Sequence, residues 1–284
     1  MLKKPDWLRV PYKDNINIDF MTELLKELKL NTVCIEADCP NRPECFSEKT
    51  ATFMILGTNC TRRCGFCNVG FGVPRPADEK EPERIAAAVK KLNLGYVVIT
   101  SVTRDDLPDG GAGHFSNVLK AIHKTIPDTL VEVLIPDLTV LKIITDESPA
   151  VVGHNIETVE SLYASVRPDA GYNRSLDVLR NIKKLDPCIV TKSGIMLGLG
   201  ETRSEVLRTF DDLLDTGCQI LTIGQYLSPG RRNLRVQEYI KPHIFDEYGD
   251  IARKKGFRFV TAAPLVRSSY RVGRIKNDEK HTLF

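Results

Sequence analysis

The sequence has no apolar run approaching the roughly 20 residues that span a bilayer. Its opening, MLKKPDWLRVPYKDN, carries charge without the apolar core of a signal peptide. A membrane protein is therefore not expected, and a cytoplasmic location is. There is also no excess of one charge: 40 Lys and Arg stand against 37 Asp and Glu, interspersed, for a net charge of +3. This balance argues against a nucleic-acid footprint, which needs a concentrated basic surface. No internal repeat and no low-complexity segment is present. With 42% hydrophobic and 27% charged residues, the 284-residue chain has the composition of a globular protein, which excludes disorder and fibrous structure. Its length allows one large domain or two small ones.

Cysteine is present and unevenly placed. Six of the eight lie between Cys34 and Cys67, and in a cytoplasmic chain such clustering points to metal ligation rather than disulfides. Cys188 and Cys218 stand alone in apolar surroundings and read as small buried hydrophobes.

Residues 1–50 read as an N-terminal extension, with an amphipathic stretch, FMTELLKELKL, and then a polar loop carrying Pro40, Pro43 and three cysteines but no helix or strand period. From residue 51 short β-type runs alternate with helical patterns, the signature of repeated strand–helix units around a parallel sheet. Strands are predicted near 51–57, 95–101, 130–135, 150–155, 189–198 and 218–226. Helices are predicted at about PERIAAAVKKLN, HFSNVLKAIHKT, LTVLKIITD, ETVESLYASV, SLDVLRNIKKL and TRSEVLRTFDDLLDTG. A full eight-unit barrel takes about 250 residues, so the expected α/β fold is a partial (β/α)6 barrel over 51–226. A C-terminal extension, 227–284, has room for one helix and one late strand before a polar tail.

Directly after the first strand comes Gly57-Thr-Asn-Cys60-Thr-Arg-Arg-Cys64-Gly-Phe-Cys67-Asn. Three thiolates at this spacing can wrap one iron–sulfur cluster and leave its fourth iron open for a substrate atom. The loop after a barrel strand lies at the catalytic face of such folds. Zinc is the alternative, with a fourth ligand from elsewhere. Upstream, Cys34, Cys39 and Cys45 are spaced four then five in a loop with two prolines, suited to a second cluster or to a structural zinc knot.

The three-then-two spacing, Phe66 before the last cysteine and the strand–helix context resemble the radical S-adenosylmethionine enzymes. Adding the four-then-five loop and Arg267-Ser268-Ser269-Tyr270 narrows the resemblance to the lipoyl synthase family, and it covers nearly the whole chain. Similar stretches include TSVTRDDLPDGGAGHF, HNIETVESLYASVRP, KSGIMLGLGET and QYLSP; RVGR after Tyr270 departs from the family's frequent His-Ala.

The resemblance implies two 4Fe-4S clusters and S-adenosylmethionine as cosubstrate, two per product. Cys60, Cys64 and Cys67 would hold the radical-generating cluster. Cys34, Cys39 and Cys45 would hold an auxiliary cluster whose fourth iron takes Ser268 or Ser269, Ser268 being preferred. A hard serine oxygen matches iron poorly beside three thiolates and can leave, which suits a cluster that gives up sulfur. The implied reaction inserts sulfur at carbons 6 and 8 of a protein-bound octanoyl-lysine. Implied partners are lipoyl-carrier domains of 2-oxoacid dehydrogenases and the glycine cleavage H protein, an electron donor such as ferredoxin or flavodoxin, and a cluster-repair protein.

Polar residues leaving strand ends are the candidates to hold S-adenosylmethionine: Ser101, Asp105, Asn155, Glu157, Lys192 and Gln225, with Phe66 and Leu227 beside them. Arg104 and Asp106 precede Gly110-Gly111, where glycine permits close backbone approach. Gly198, Gly200 and Glu201 form a strand-to-helix turn, and Ser101 and Thr202 also fit turn or cap positions. Arg167, Arg174 and Arg267 are candidates for steadying a carboxylate or screening cluster charge, or for structural ion pairs.

Overall fold

The runs TFMI, YVVITS and LVEVL form strands covered on both faces, as strands of a parallel sheet are. The computed structural model describes residues 2–10 and 16–269. These fall into two compact units. The first comprises Val10–Arg62 and Val69–Val151; the second comprises the residues before Val10, Arg63–Asn68 and the chain from Val152.

In the first unit α1 (Ile16–Glu27) buries Met21, Leu24 and Leu25, the three- and four-residue spacing of an amphipathic helix. β1 (Asn31–Thr32) runs antiparallel to β2 (Thr52–Ile55), pairing Thr32 with Phe53. Between them the cysteine loop was expected to lack regular structure, yet it winds into α2 (Val33–Glu36) and α3 (Arg42–Ser47). Local chemistry explains this. Thr32 caps α2 by accepting from the Ile35 amide at 3.3 Å, and Pro43 occupies the first turn of α3, where its missing N–H has no helical partner to lose. After β2 come the short parallel pair β3 (Asn59–Cys60) and β4 (Gly70–Phe71), then α4 (Glu81–Lys91), β5 (Tyr96–Ser101), α5 (Ala112–Thr125), β6 (Leu130–Leu134) and α6 (Lys142–Thr145). The sheet order here is β1-β2-β5-β6, with Thr52 opposite Val98 and Tyr96 opposite Leu130.

The second unit takes most of β7 (Val151–Gly153), then α7 (Tyr163–Val166), α8 (Tyr172–Leu185), β8 (Val190–Leu197), α9 (Arg203–Asp215), β9 (Ile220–Gln225), α10 (Pro242–Lys255) and β10 (Phe259–Ala262). Its strands lie in the order β7-β8-β9-β10, parallel where Lys192 meets Ile220 and Phe259 meets Ile220. Val206, Phe210 and Leu213 of α9 pack with Leu221, Ile223 and Phe245 in its core. Burying each such side chain is worth about 1.5–3 kcal/mol.

The class is α/β with a mostly parallel sheet, and no closed barrel forms among the described residues. The six expected strands are β2 and β5–β9, with β10 the late strand. The expected helix at 157–166 is largely absent: a 3-10 turn at Glu160–Leu162 leads only to the short α7. Glu157 takes φ +65° and joins the sheet instead, donating to Gly194 O at 2.9 Å and accepting from Met196 N at 2.9 Å. LTVLKIITD likewise yields only the single turn of α6. Cys218 is buried as expected, but Cys188 is exposed because it sits in the turn between α8 and β8. Among the described residues no helix is long and apolar enough to cross a membrane. Tyr270, RVGR and the polar tail lie outside the described residues.

Candidate functional site

Two cysteine triplets and their supports define the site, beginning in the first unit with Cys34 on α2, Cys39 after it and Cys45 on α3. The backbone ties them closely: Cys39 N donates to Cys34 O at 3.2 Å, and Thr50 donates to Cys45 O through both its amide and its hydroxyl. All three are free thiols. Burial pushes the Cys45 thiol up to about 12, with Cys34 and Cys39 adding to the effect; Cys34 is raised to about 11, first by burial. Ligation to iron, which takes the thiolate, would favour the deprotonated forms of these thiols.

The same unit carries the start of the second cysteine loop. Leu56 (φ +68°) and Gly57 (φ +93°) turn the chain after β2. Leu56 N donates to Glu81 Oε2 at 3.0 Å, and the same carboxylate oxygen lies 2.7 Å from His114 Nε2. The fully buried Arg104 donates to Leu56 O at 3.4 Å and is gripped by Asp106. Cys60 Sγ then accepts from the amides of Arg62 and Thr103, each at 3.4 Å. Hydrogen bonds to sulfur of this kind tune a cluster's reduction potential. Arg62 donates to Asp105 at 2.6 and 2.8 Å and also to buried Asp137. Burial works to lower the Arg62 pKa, but the two carboxylates outweigh it and hold the guanidinium more firmly charged. Asp105 thus has a definite task here: it accepts from Arg62 and from the Thr61 hydroxyl at 2.7 Å, fixing the cysteine loop. The Ser101 hydroxyl, at the end of β5, is buried without a hydrogen-bond partner.

In the second unit Cys67 N donates to Cys64 O at 3.1 Å, closing a turn around Gly65. Gly65 N donates to Val166 O, and Gly65 O accepts from Leu234 N, both at 2.9 Å. An added Cβ would lie 2.9 Å from the Leu234 side chain and 3.2 Å from Ser165 O, so only glycine fits without displacement. Asn233 Nδ2 donates to Cys67 O at 2.8 Å. Phe66 packs against Val166, Leu199 and Tyr226.

Asn155, Glu157 and Arg167 are brought together. Asn155 Nδ2 donates to Glu157 Oε1 at 3.0 Å, while its own Oδ1 is buried without a partner, 3.0 Å from where a side chain on Gly194 would begin. Arg167 donates to Asn155 O at 2.9 Å and to Tyr163 Oη at 3.0 Å. Desolvation pushes the Glu157 carboxyl up, opposed by Arg167. Lys192 is fully buried within β8. Glu201 accepts from Gly198 N at 2.6 Å and Leu199 N at 2.9 Å, and Thr202 is the N-cap of α9 with a complete capping box. Gln225 spends its amide on backbone: it donates to Leu197 O, Tyr226 O and Glu238 O and accepts from Ile240 N. Leu227 is half-buried beyond it. Arg174 donates to Asp169 O at 3.2 Å, and Arg267 to Val266 O at 2.7 Å and Gln225 O at 3.3 Å. Ser268 and Ser269 follow, half-buried in a turn.

Sequence reasoning missed Arg62, Asp137, Thr103, Asn233 and Leu234. The neighbouring TRR and NLR stretches carry no spacing signal that would have marked them. Among the described residues no three His, Cys, Asp or Glu side chains converge on the position of a single metal ion. A four-iron cube, which takes its ligands on separate irons, does not require that convergence.

The model for the Radical SAM superfamily matches residues 54–213. The chain is 50% identical to the lipoyl synthase of Alkaliphilus metalliredigens over 283 residues, covering 98% of this chain and 97% of the relative. It is 55% identical to the lipoyl synthase of Caldicellulosiruptor saccharolyticus, covering 94% and 95%. Among solved structures it shares a fold with methylornithine synthase, at TM-score 0.56 and 12% identity over 91% of this chain and 88% of that one.

Proposed function

The chain belongs to the lipoyl synthase family of the radical S-adenosylmethionine superfamily. From that membership we propose that Cys60, Cys64 and Cys67 hold the cluster that cleaves S-adenosylmethionine, while Cys34, Cys39 and Cys45, with Ser268 or Ser269, hold the auxiliary cluster. The enzyme is a sulfurtransferase that inserts two sulfur atoms at carbons 6 and 8 of protein-bound octanoyl-lysine, acting on octanoylated lipoyl-carrier proteins. Its cofactors are two 4Fe-4S clusters and S-adenosylmethionine.

When bound, these groups supply a deoxyadenosyl radical and the sulfur that captures the substrate carbons, chemistry that no acid or base on the chain can provide at unactivated carbons. The chain's own residues position and desolvate. Arg62, held by Asp105 and Asp137, fixes the loop behind Cys60. Asn233 and Leu234 fix the turn at Cys64–Cys67. Ser101 and Asn155 offer buried oxygens with no protein partner, and such atoms call for a ligand; we assign them to the cosubstrate. Glu157, Lys192, Asp105, Phe66, Gln225 and Leu227 complete that assignment, Gln225 and Asp105 through the backbone and loop they hold. Arg167, Arg174 and Arg267 support the site through the backbone carbonyls of Asn155, Asp169 and Gln225. The functional segments are 1–50, 51–226 and 227–284. A ferredoxin or flavodoxin serves as electron donor, a separate protein rebuilds the auxiliary cluster, and the location is the cytoplasm.

The observation that carries the division of labour is the unequal environment of the two triplets. Cys60 accepts two backbone amides at a strand end, whereas Cys34 and Cys45 lie on two short helices with Cys39 in the turn between them. Anaerobic reconstitution should give about eight irons per chain, four for each cluster. Reduced protein with S-adenosylmethionine should convert an octanoyl-lysine peptide to its lipoyl form. Cys34→Ala should keep 5′-deoxyadenosine formation and lose the lipoyl product; full lipoyl product from that variant would refute the assignment.

A further inference from the structure

The segment that fastens the Cys64–Cys67 turn is also a strip of unbalanced positive charge. Arg231, Arg232 and Arg235 are exposed, and residues 227–237 contain no Asp or Glu. None of the three forms an ion pair among the described residues. Elsewhere the exposed Arg9, Arg203, Arg208 and Arg253 each meet a carboxylate. Between the unpaired arginines, Asn233 donates to Cys67 O at 2.8 Å and Leu234 to Gly65 O at 2.9 Å, while Tyr226 Oη donates to Leu234 O at 2.7 Å. The basic strip is therefore joined to a cysteine-bearing turn by two direct hydrogen bonds.

Cleaving S-adenosylmethionine consumes one electron, which must come from outside the chain, and a protein donor has to approach the cluster closely to deliver it. Unpaired surface charge steers the encounter of oppositely charged partners and raises association rates. We propose that Arg231, Arg232 and Arg235 form the docking surface for an acidic one-electron carrier protein, with the Asn233–Cys67 hydrogen bond on the route from donor to cluster. One electron passes: the donor, for example a flavin hydroquinone, becomes the semiquinone, the cluster is reduced by one, and no bond is made or broken. This rests on Cys64 and Cys67 ligating the cluster that cleaves S-adenosylmethionine.

The test uses a fully reduced acidic flavodoxin as probe and the variant R231E/R232E/R235E. Flavodoxin binding to the cluster-free chain at low ionic strength should weaken about tenfold or more, and the difference should shrink at 0.5 M salt as surface charges are screened. In the reconstituted enzyme, flavodoxin oxidation should slow in proportion, while cleavage of S-adenosylmethionine driven by dithionite stays at the wild-type rate. R231K/R232K/R235K should restore both binding and transfer. Unchanged binding and transfer in the glutamate variant would overturn the proposal. So would a defect confined to dithionite-driven turnover of an octanoylated carrier domain, which would give the strip to the carrier instead. If dithionite reduces no cluster even in the wild type, the ligand assignment fails rather than the docking surface.

Discussion

Replacing Arg62 with Gln removes a cation that joins Asp105 to Asp137 behind Cys60. The two sides of this clasp are unequal: the Asp105 side chain is 47% exposed and that of Asp137 only 1%. Losing a half-exposed partner costs about 0.2–1 kcal/mol. Removing the cation from a buried ion pair costs about 3–5 kcal/mol, so the Asp137 side dominates. At roughly 2–4 °C per kcal/mol for a chain of this size, thermal unfolding of cluster-free Arg62→Gln should begin at least 6 °C below the wild type. Arg62 does not touch the Cys34–Cys45 loop, so reconstituted iron should fall from about eight toward about four per chain while the auxiliary cluster persists. The double variant Arg62→Gln with Asp137→Asn should recover more than half of the lost stability, because the buried negative charge that Arg62 balanced is gone. If Arg62→Gln costs less than about 1 kcal/mol, or if the two substitutions are simply additive, the two groups are not coupled and the clasp is not what fixes the loop.

Ser101→Ala should have effects of opposite sign: slightly higher melting temperature in the cluster-free protein, because a buried hydroxyl without a partner is removed, and a five- to tenfold higher KM for S-adenosylmethionine, from about 1 kcal/mol of hydrogen bond; a loss of stability would show that the hydroxyl already has a protein partner. Gly65→Ala should release iron from the Cys60–Cys67 loop, because Ser165 O at 3.2 Å is backbone and cannot swing aside as the Leu234 side chain can; normal iron content and cluster spectrum would contradict this. Glu205 is held down at about 2 by the hydroxyls of Ser161 and Thr202 and the Thr202 amide. A depressed carboxyl stabilises the fold above its unfolded pKa of 4.5 and loses that contribution as pH falls through about 2. Glu205→Gln should therefore be less stable than wild type at neutral pH, with the gap narrowing in acid unfolding between these values.

The chemistry was legible in the sequence because it is local: Cys60, Cys64 and Cys67 lie within eight residues, and a cluster loop reads as spacing. The strands were legible for the same reason, since β5 is built on the β-branched run Val97–Thr100 and β9 on the mostly apolar run Ile220–Ile223, both buried. Where a tertiary contact competes with local pattern, the pattern misled. ETVESLYASV has helical spacing, but its first residue pairs with β8 and postpones the helix to Tyr163. The cysteine loop of residues 34–45 shows no period because helices of four and six residues are too short to display one.

The sequence by itself therefore marked the cysteines proposed to ligate iron and the order in which strand and helix alternate, because both depend on neighbours along the chain. Tertiary structure alone decided what holds those ligands still. Arg62 reaches Asp137 across 75 positions and Asn233 reaches Cys67 across 166. Such pairs have no signature in spacing, because packing, not chain order, sets which charged and polar groups meet when water is excluded.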